Sequence, residues 1–376
     1  MTTPDGSAYF LYHSIGMYPG KAEAMAAELS EFAASWGAFD DGQWMRALGK
    51  RQRFIDLWSN LIGASKGTLT SAENVTTALY SLIGALPPHH LAGRRVLVTA
   101  DCFPSLHFLL AGLAPRFGFT LDTVAMRDGE SWVHDDDLIA SWGKDVGLTL
   151  LTQVTSTSSH RCDLDRLVAH GRAMGSLVGV DITQGVGLIP FKVDAPAVDF
   201  TISTSLTWLS GTPGAGIIHV AEPLLKECRP ELRGWFSQDN IFSWDLDAFA
   251  YAPDARRFDH GTPSALACIG SVPALEWHAA QDKTALLAHN RKLSAAIIAR
   301  ADEMDLALAS PRDDRRRGGS IMLRLPAETE TATIVNGLRQ RGVFTDCRGR
   351  ILRLSPGTIT TAAGIDRLFA GLGALL

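Results

Sequence analysis

Short apolar runs alternate with amphipathic stretches along the middle of the chain. Asp163 stands at the N-cap position of one such stretch and Pro104 begins another, so both stretches are predicted to be helical. Runs that are apolar on both faces and separated by helices are typical of a mainly parallel sheet covered on both sides. The pattern therefore predicts an α/β fold with functional residues at the carboxyl ends of its strands. The predicted strands are residues 94–100, 146–154, 177–181, 200–204 and 216–220.

The pattern changes near residue 263, where two long helical stretches precede shorter strands and helices. This α+β pattern predicts a second, smaller domain over residues 263–376, after a large domain over residues 61–262. Residues 1–60 are expected to form an N-terminal segment that contributes to the active site and to the small domain. The predicted elements of the small domain are helices at 263–281, 284–303, 331–341 and 362–373 and strands at 320–325 and 351–354.

Composition and charge narrow the possible classes of protein. The 376 residues are 46% hydrophobic and 20% charged, which is ordinary for a globular fold and too apolar for disorder. The net charge of −5 argues against nucleic acid or an anionic membrane surface as a partner. No apolar stretch reaches the roughly 18 residues of a membrane span, and the chain starts without a secretory leader. We therefore expect a cytoplasmic protein that acts on a small molecule.

Two further patterns concern cysteine and arginine. Five scattered cysteines never form Cys-x-x-Cys, which is typical of reduced thiols and argues against a thiolate zinc site, so no metal site is predicted. The three arginines at 315–317 lie between paired aspartates and paired glycines. They are predicted to form a solvated turn rather than a binding patch.

Two positions suggest ligand contacts at strand and helix ends. Asp181 directly follows an apolar strand, so it is expected at the carboxyl edge of the sheet. A carboxylate there could fix a cationic nitrogen, a metal or a ribose, although the position also suits a helix cap or a loop carboxylate. Asn74 and Thr76 precede an apolar periodic run, which is typical of a helix start. The free amides of a helix start suit a phosphate, although most such caps bind nothing.

Three more residues could contact a small ligand. Phe103 follows the first predicted strand, where its ring could stack on a flat ligand or belong to the core. Thr262 lies in a loop that leads into a long helix and could hold an anion. Arg353 lies inside an apolar strand, and because a buried cation needs a partner, either a ligand carboxylate or a structural acid is expected beside it.

Taken together, these residues resemble the fold-type-I enzymes that depend on pyridoxal phosphate (PLP), in the class V aminotransferase group. Kynureninase and the isopenicillin-N-epimerase-like branch are the most similar in pattern. The resemblance runs over nearly the whole chain; no single motif is specific, but seven occur in the expected order. They are His13-Ser-Ile-Gly16, Glu73-Asn-Val-Thr-Thr77, Asp101-Cys-Phe-Pro104, Asp181-Ile-Thr-Gln184, Gly234-Trp-Phe236, Gly261-Thr262 and Arg353.

The resemblance implies an aspartate-aminotransferase-like fold, with a large domain around a mainly parallel seven-stranded sheet and a smaller α+β C-terminal domain. It implies a homodimer, because Thr262 would reach the phosphate of the partner subunit's cofactor. It also implies that Phe103 stacks on the cofactor ring, Asp181 pairs with the pyridine nitrogen and Arg353 binds the substrate carboxylate. The other cofactor-binding residues that the resemblance implies are Val75, Thr76, Gln184 and Trp235.

One position departs from this pattern. The family has a Lys-Tyr/Trp-Leu tripeptide after the strand that follows the aspartate, and this lysine holds PLP through a Schiff base. Thr207-Trp208-Leu209 stands in its place, and no lysine lies between residues 193 and 225. A hydroxyl cannot form an imine and is a poor proton carrier near neutral pH. We therefore expect PLP or pyridoxamine phosphate (PMP) to be bound without a covalent link.

Another group must then move protons, and histidine suits this role because its pKa lies near neutrality. His13 and His260 are the candidates beside Thr207, although an isolated histidine is more often structural. His107 is a weaker candidate because it falls within a predicted helix. Two alternatives stay open. One is a cofactor-independent enzyme that reuses the pocket for another small acid, and the other is a non-catalytic relative that serves as a binding subunit.

Overall fold

The computed structural model describes residues 6–376. The prediction that the chain starts without a leader rests partly on residues 1–5, which lie outside the described residues. Within the described range, every helix is too short or too polar to cross a membrane.

A seven-stranded sheet forms the centre of the large domain. Its strand order is β1-β7-β6-β5-β4-β2-β3, and the five strands from β6 to β3 in that order are parallel to one another, whereas β7 is antiparallel to β6 and to β1. The mainly parallel sheet predicted from the sequence is thereby confirmed. The strands are β1 (Leu69–Ala72), β2 (Arg95–Thr99), β3 (Thr120–Val124), β4 (Val146–Thr152), β5 (Leu177–Asp181), β6 (Phe200–Thr204) and β7 (Gly216–Val220).

Two strands of this sheet were not predicted from the sequence. The strand β1 consists of Leu, Thr, Ser and Ala and has no apolar run. The strand β3 has only two apolar residues, Leu121 and Val124, and lies at the sheet edge, where it is only partly buried. Their burial comes from pairing with β7 and β2, which the local pattern does not reveal.

Helices cover both faces of the sheet. One core layer contains residues of α2, α6 and α8, and the other contains residues of α3, α4 and α7. The long helix α2 buries residues at helical spacing, from Ala47 and Arg51 to Phe54, Trp58 and Ile62. The helices are α1 (Lys21–Trp36), α2 (Gln43–Ile62), α3 (Val75–Ile83), α4 (Pro104–Phe117), α5 (Asp135–Ser141), α6 (Leu164–Met174), α7 (Glu222–Glu227) and α8 (Ala265–Ala280).

The smaller unit is an antiparallel four-stranded sheet with three helices, as the α+β pattern predicted. Its strand order is β10-β11-β9-β8. Leu323 and Leu352 of adjacent strands pack with Ile297, Leu338 and Leu368 of the three helices in a separate core. The elements are α9 (Lys283–Glu303), β8 (Ala307–Leu308), β9 (Ile321–Arg324), α10 (Thr331–Gln340), β10 (Asp346–Arg348), β11 (Ile351–Leu354) and α11 (Ala362–Gly373).

The packing of the N-terminal segment and of α8 concerns the predicted boundaries between the two domains. Phe10 is fully buried in the core of the smaller unit, and Tyr9 and Leu11 form parallel bridges with Phe344 and Ser355. The helix α8, in contrast, packs against α2 in the core of the large domain. The boundary at residue 262 therefore stays a prediction.

The arginine run at 315–317 is not a fully solvated turn. Arg315 is exposed, but Arg317 is buried and donates hydrogen bonds to the carbonyl oxygens of Pro311 and Arg312. Arg316 forms an ion pair with the buried Asp135 at 2.9 Å. The prediction of a solvated turn is wrong for these two side chains. Arg316 pairs with an acid far away in the sequence, and Arg317 donates to carbonyl groups of its own loop.

Candidate active site

Asp181 ends β5 at the carboxyl edge of the sheet, between β4 and β6. Its Cα pairs with those of Thr152 and Ile202, and the side chain is buried. One carboxylate oxygen accepts a hydrogen bond from the amide of Thr183 at 2.9 Å. Burial raises the pKa of Asp181, and among residues 6–376 no charged group compensates it. The site thus offers a buried carboxyl group that lacks a cationic partner.

Thr207 follows β6 and is buried beside the loop that Asp181 begins. Its hydroxyl donates to the carbonyl oxygen of Thr183 at 2.7 Å. The amide of Ser210, a residue at φ 62°, donates back to the Thr207 carbonyl and closes a tight turn. From α2, the indole of Trp58 donates to Ser205 at 3.0 Å and so fixes the start of the turn. The Thr207 hydroxyl therefore ties two loops of the sheet edge together.

The N-terminal segment lies directly against this turn. The side-chain amide of Gln184 donates to the backbone carbonyl of His13 at 3.0 Å, and the backbone amide of Gly16 donates to the carbonyl of Leu206 at 3.1 Å. A Cβ at Gly16 would lie 2.0 Å from the carbonyl oxygen of Thr207, so only glycine fits. The structure therefore brings Gln184, Thr207 and the backbone of His13 together.

The imidazole of His13 is buried and turned toward the smaller unit. Its Nδ1 lies 2.7 Å from the hydroxyl of Ser355, and its Nε2 lies 3.0 Å from a carboxylate oxygen of Asp346. Burial lowers the pKa of His13, although Asp346 opposes the change, so the ring is neutral near neutral pH. The backbone of His13 thus contacts the sheet edge, and its ring contacts β10 and the residue after β11.

Arg353 of β11 is buried beside an acidic side chain of the protein, Asp346. This is one of the two partners that the sequence predicted for a buried arginine. The Nε of Arg353 donates to Asp346 at 2.8 Å, Nη2 donates to the other oxygen of the same carboxylate, and Nη1 lies 3.4 Å from the carbonyl of Ser156. Burial raises the pKa of Asp346, but hydrogen bonds to His13 and Arg353 outweigh burial and hold the pKa well below its usual range. Asp346 is therefore ionised.

The helix α3 begins at the same edge of the sheet. Ala72 at the end of β1 pairs with Gly216, which also pairs with the last residue of β6. The side chain of Asn74 accepts a hydrogen bond from the amide of Thr77, and the hydroxyl of Thr77 lies 3.2 Å from the amide of Asn74. The amides of Val75 and Thr76 lie in the first turn of α3 and are not used by this capping box. Amides at a helix N-terminus favour the binding of an anion.

Phe103 precedes α4 at the end of the β2 loop, two strands away from Asp181. Its side chain is 42% exposed, so the ring is not part of the core. The neighbouring Cys102 is buried, and burial, followed by the charges of Asp101 and Asp181, raises the pKa of its thiol to about 12. Phe103 therefore presents an aromatic face on the side of the sheet edge that carries Asp181.

Three of the predicted site residues lie near one another and apart from Thr207. They are Trp235, His260 and Thr262. His260 and Thr262 line a cavity of about 110 Å³ with Glu73, which lies just before α3, and with the buried ion pair of Arg51 and Asp259. The carbonyl of His260 lies so close to Gly234 that a Cβ there would be 2.4 Å away, and Trp235 follows it. Among the described residues, no hydrogen bond joins the imidazole of His260 to Thr207 or Asp181, and the cavity shared with Glu73 places His260 and Thr262 beside the start of α3.

The acid that faces Arg353 was not predicted from the sequence. Asp346 and Arg353 are direct partners in the β10–β11 hairpin, at equal distances from its turn at Gly349 and Arg350. This symmetry about the turn was a usable signal. The buried pair of Arg51 and Asp259 was also missed, because its members lie far apart in the sequence.

Comparison with known proteins adds the family context. The sequence model of the class V aminotransferases ("Aminotransferase class-V") matches residues 57–350. The chain is 26% identical to a kynureninase from Deinococcus radiodurans over 388 residues, which cover 99% of this chain and 91% of that protein.

Two solved structures are similar over almost the entire fold. The apo cysteine desulfurase of Thermococcus onnurineus NA1 has a TM-score of 0.86 at 16% identity, covering 99% of this chain and 95% of that one. A lysine-to-alanine mutant of C-DES with glycine covalently linked to its PLP cofactor has a TM-score of 0.86 at 18% identity, covering 98% and 97% of the two chains. Identities this low establish the fold and leave the activity open.

Proposed function

Because the chain belongs to the class V aminotransferase family and has the type I fold of PLP-dependent enzymes, we propose that it binds PLP or PMP without a covalent bond. The proposed substrate is a small amino-acid-like or carboxylate-bearing molecule. The observation that carries this proposal is the buried carboxyl group of Asp181, which accepts from the amide of Thr183 and has no cationic partner in the described part of the chain. A protonated pyridine nitrogen would supply the missing cation and stabilise the charged form of Asp181.

The other residues of the sheet edge suit the remaining parts of such a cofactor. The first-turn amides of Val75 and Thr76 can bind the phosphate, and the exposed ring of Phe103 can stack on the pyridine ring. Gln184 and Trp235 stay proposed cofactor-binding residues. When bound, PLP supplies an electron sink for carbanion chemistry at the substrate.

Thr207 keeps the space of the missing lysine closed without offering an amine. Its donor is used by the Thr183 carbonyl, so the proton that the reaction moves must be held elsewhere. His13 and His260 stay the proposed proton carriers. His13 is neutral and buried next to Asp346, whereas His260 is partly exposed beside Thr262. The positions of Thr207, His13 and Gln184 around one turn support a role for the N-terminal segment in closing the site.

A homodimer is part of this proposal. Thr262 lies in a partly open cavity beside the start of α3 and would complete the phosphate site of a second subunit. Arg353 would bind the substrate carboxylate from the smaller unit.

The experiment that tests the proposal measures PLP binding by calorimetry and by the absorbance of the bound aldehyde. The wild type should bind PLP saturably, and after treatment with borohydride and tryptic digestion every peptide from residues 193–225 should keep its unmodified mass. Asp181→Asn should raise the Kd at least tenfold, because a charge-assisted hydrogen bond contributes about 1.5–3 kcal/mol.

Asp163→Asn is the matched control, since Asp163 is an exposed aspartate that caps α6, and its Kd should equal that of the wild type. Failure of the wild type to bind PLP or PMP would refute the proposal. The cofactor-independent enzyme and the non-catalytic binding subunit would then be the remaining functions.

A further inference from the structure

Arg353 is the centre of a buried polar network that joins three distant parts of the chain. The guanidinium bonds to Asp346 within the smaller unit, to the backbone of Ser156 in the loop after β4, and through Asp346 to His13 of the N-terminal segment. The side chain of Arg353 is only 7% exposed, and that of Asp346 is 26% exposed. A network of this kind holds a side chain in one orientation because every alternative leaves a buried charge unpaired.

The two edges of the guanidinium are used differently. Asp346 occupies the edge formed by Nε and Nη2 in a two-point contact. Within residues 6–376, the other edge, formed by Nη1 and Nη2, makes one long contact, from Nη1 to the carbonyl of Ser156 at 3.4 Å. Because the guanidinium has five donors in a fixed plane, the second edge can still bind a carboxylate in two-point geometry.

The open edge lies beside the loop that leaves the candidate active site. Its Nη1 contacts the carbonyl of Ser156, four residues after Thr152, the residue of β4 whose Cα pairs with Asp181. Arg353 therefore reaches the loop that begins at the sheet edge carrying Asp181. A carboxylate bound there would lie between the smaller unit and the proposed cofactor site.

A chain of hydroxyl groups and one imidazole fixes Asp346 in turn. The hydroxyls of Ser320 and Ser355 lie 2.5 Å apart, Ser355 lies 2.7 Å from Nδ1 of His13, and Nε2 of His13 lies 3.0 Å from Asp346. The ionised Asp346 can only accept, so the proton of the neutral imidazole belongs on Nε2 and Ser355 donates to Nδ1. Asp346 is thus held from one side by His13 and from the other by Arg353.

We propose that Asp346 is the positioning residue of Arg353, and that it orients the guanidinium so that the Nη1/Nη2 edge binds a single carboxylate of the substrate. This inference rests on the proposed function and adds the rule by which that site selects its substrate. Arg348, with Nη1 3.8 Å from Asp346, is the other charged group that faces this carboxylate. With His13 neutral, the two arginines and Asp346 carry one net positive charge, which matches one carboxylate.

The test uses two stable probes that differ only in a carboxylate, phosphopyridoxyl-L-alanine and phosphopyridoxyl-ethylamine, with the homodimeric or monomeric protein as purified. Calorimetry gives the Kd of each probe. The wild type should bind the alanine probe about tenfold to a hundredfold more tightly, as expected for a charge-assisted two-point contact. In Asp346→Asn this ratio should fall below about threefold while the Kd of the ethylamine probe stays unchanged.

A matched control is Asp302→Asn, which removes the acid from another two-point pair, with Arg312 at the surface. Its ratio should equal that of the wild type. Arg353→Lys is the second variant, because lysine keeps the ion pair with Asp346 but has no second edge, so its ratio should also collapse.

The outcomes separate the two proposals. If neither probe binds the wild type, the proposed function fails and this inference fails with it. If both probes bind but Asp346→Asn keeps the wild-type ratio, or Arg353→Lys keeps it, Asp346 does not position Arg353 and only the inference is overturned. A loss of affinity for both probes in Asp346→Asn would indicate a merely structural role and would also overturn it.

Discussion

At the scale of single residues, Thr207 is the side chain on which the proposed non-covalent binding of PLP depends most. Its neighbours Trp208 and Leu209 are buried, and Ser205 is fixed by Trp58, so the turn is held independently of the side chain at 207. The threonine hydroxyl donates one hydrogen bond to the backbone of Thr183. A substitution at residue 207 should therefore act locally, and a lysine there should not require the turn to rebuild.

We expect Thr207→Lys to acquire a covalent bond to PLP. A buried amine among apolar neighbours has a lowered pKa, which favours the free nucleophile. Borohydride reduction followed by peptide mass spectrometry should find the pyridoxyl group on residue 207 in the variant, and wild-type protein treated in the same way provides the control. An unmodified Lys at 207 in the presence of saturating PLP would show that the ring and phosphate sites are not retained.

His219 offers a second test at the same scale. It is buried in β7, its Nδ1 has no partner, and burial lowers its pKa to about 4. An unfolded histidine titrates at about 6.5, so as pH falls from there toward the folded pKa the unfolded state takes up a proton that the folded state refuses. This histidine therefore makes the protein less stable as the solution becomes more acidic, and its full contribution is present only above about pH 6.5.

We expect His219→Leu to gain stability over the wild type as the pH is lowered. The difference in unfolding free energy should grow by roughly 3 kcal/mol between about pH 6.5 and about pH 4, from the linkage of about 1.4 kcal/mol per pKa unit. Urea denaturation of both proteins at several pH values measures it. A difference that stays constant with pH would contradict the assignment of a neutral buried imidazole.

At the scale of elements, the N-terminal segment is held by close backbone contact with the turn at Thr207. We expect Gly16→Ala to destabilise the protein by about 1–3 kcal/mol and to weaken PLP binding, because the new methyl group would overlap the carbonyl of Thr207. Thermal denaturation and calorimetry measure the two effects.

Gly49→Ala provides the matched control for this prediction. Gly49 lies on the exposed side of α2 with open space around its Cα, so alanine there should stabilise the helix by about 0.5–1 kcal/mol. Equal effects of the two substitutions would mean that the segment is not packed on the turn.

Some elements and site residues could be predicted from the sequence, and others could not. The strands β2, β4, β5, β6 and β7 follow from their apolar runs, and Asp181 could be placed at the sheet edge because it ends one of them. His13 could not be placed in the same way, since its partners Ser355 and Asp346 lie at the other end of the chain. Contacts of such long sequence separation leave no local pattern, and the same is true of β1 and its partner β7.

At the scale of the whole molecule, we expect an obligate homodimer. The loop after Trp235 exposes Phe242, Trp244 and Leu246, whose exposed fractions are 73%, 76% and 95%, and Trp244 stacks on Trp235. Several large apolar side chains exposed in one loop are typical of an interface with another subunit. Light scattering at micromolar concentration should give twice the chain mass, and a stable folded monomer would contradict the dimer.

The position of Phe10 also has a consequence for how the chain matures during synthesis. Phe10 is enclosed by residues from α9 through α11, and Ser7 touches α11 so closely that a Cβ at Gly364 would lie 1.8 Å from its carbonyl oxygen. Residues 7–12 are made long before α11, which comes more than 300 residues later in the chain. The smaller unit can therefore close only after α11 has been translated, at the entropic cost of a very long loop. Until then the apolar N-terminal segment lacks its sheet and exposes surface of the kind that promotes aggregation.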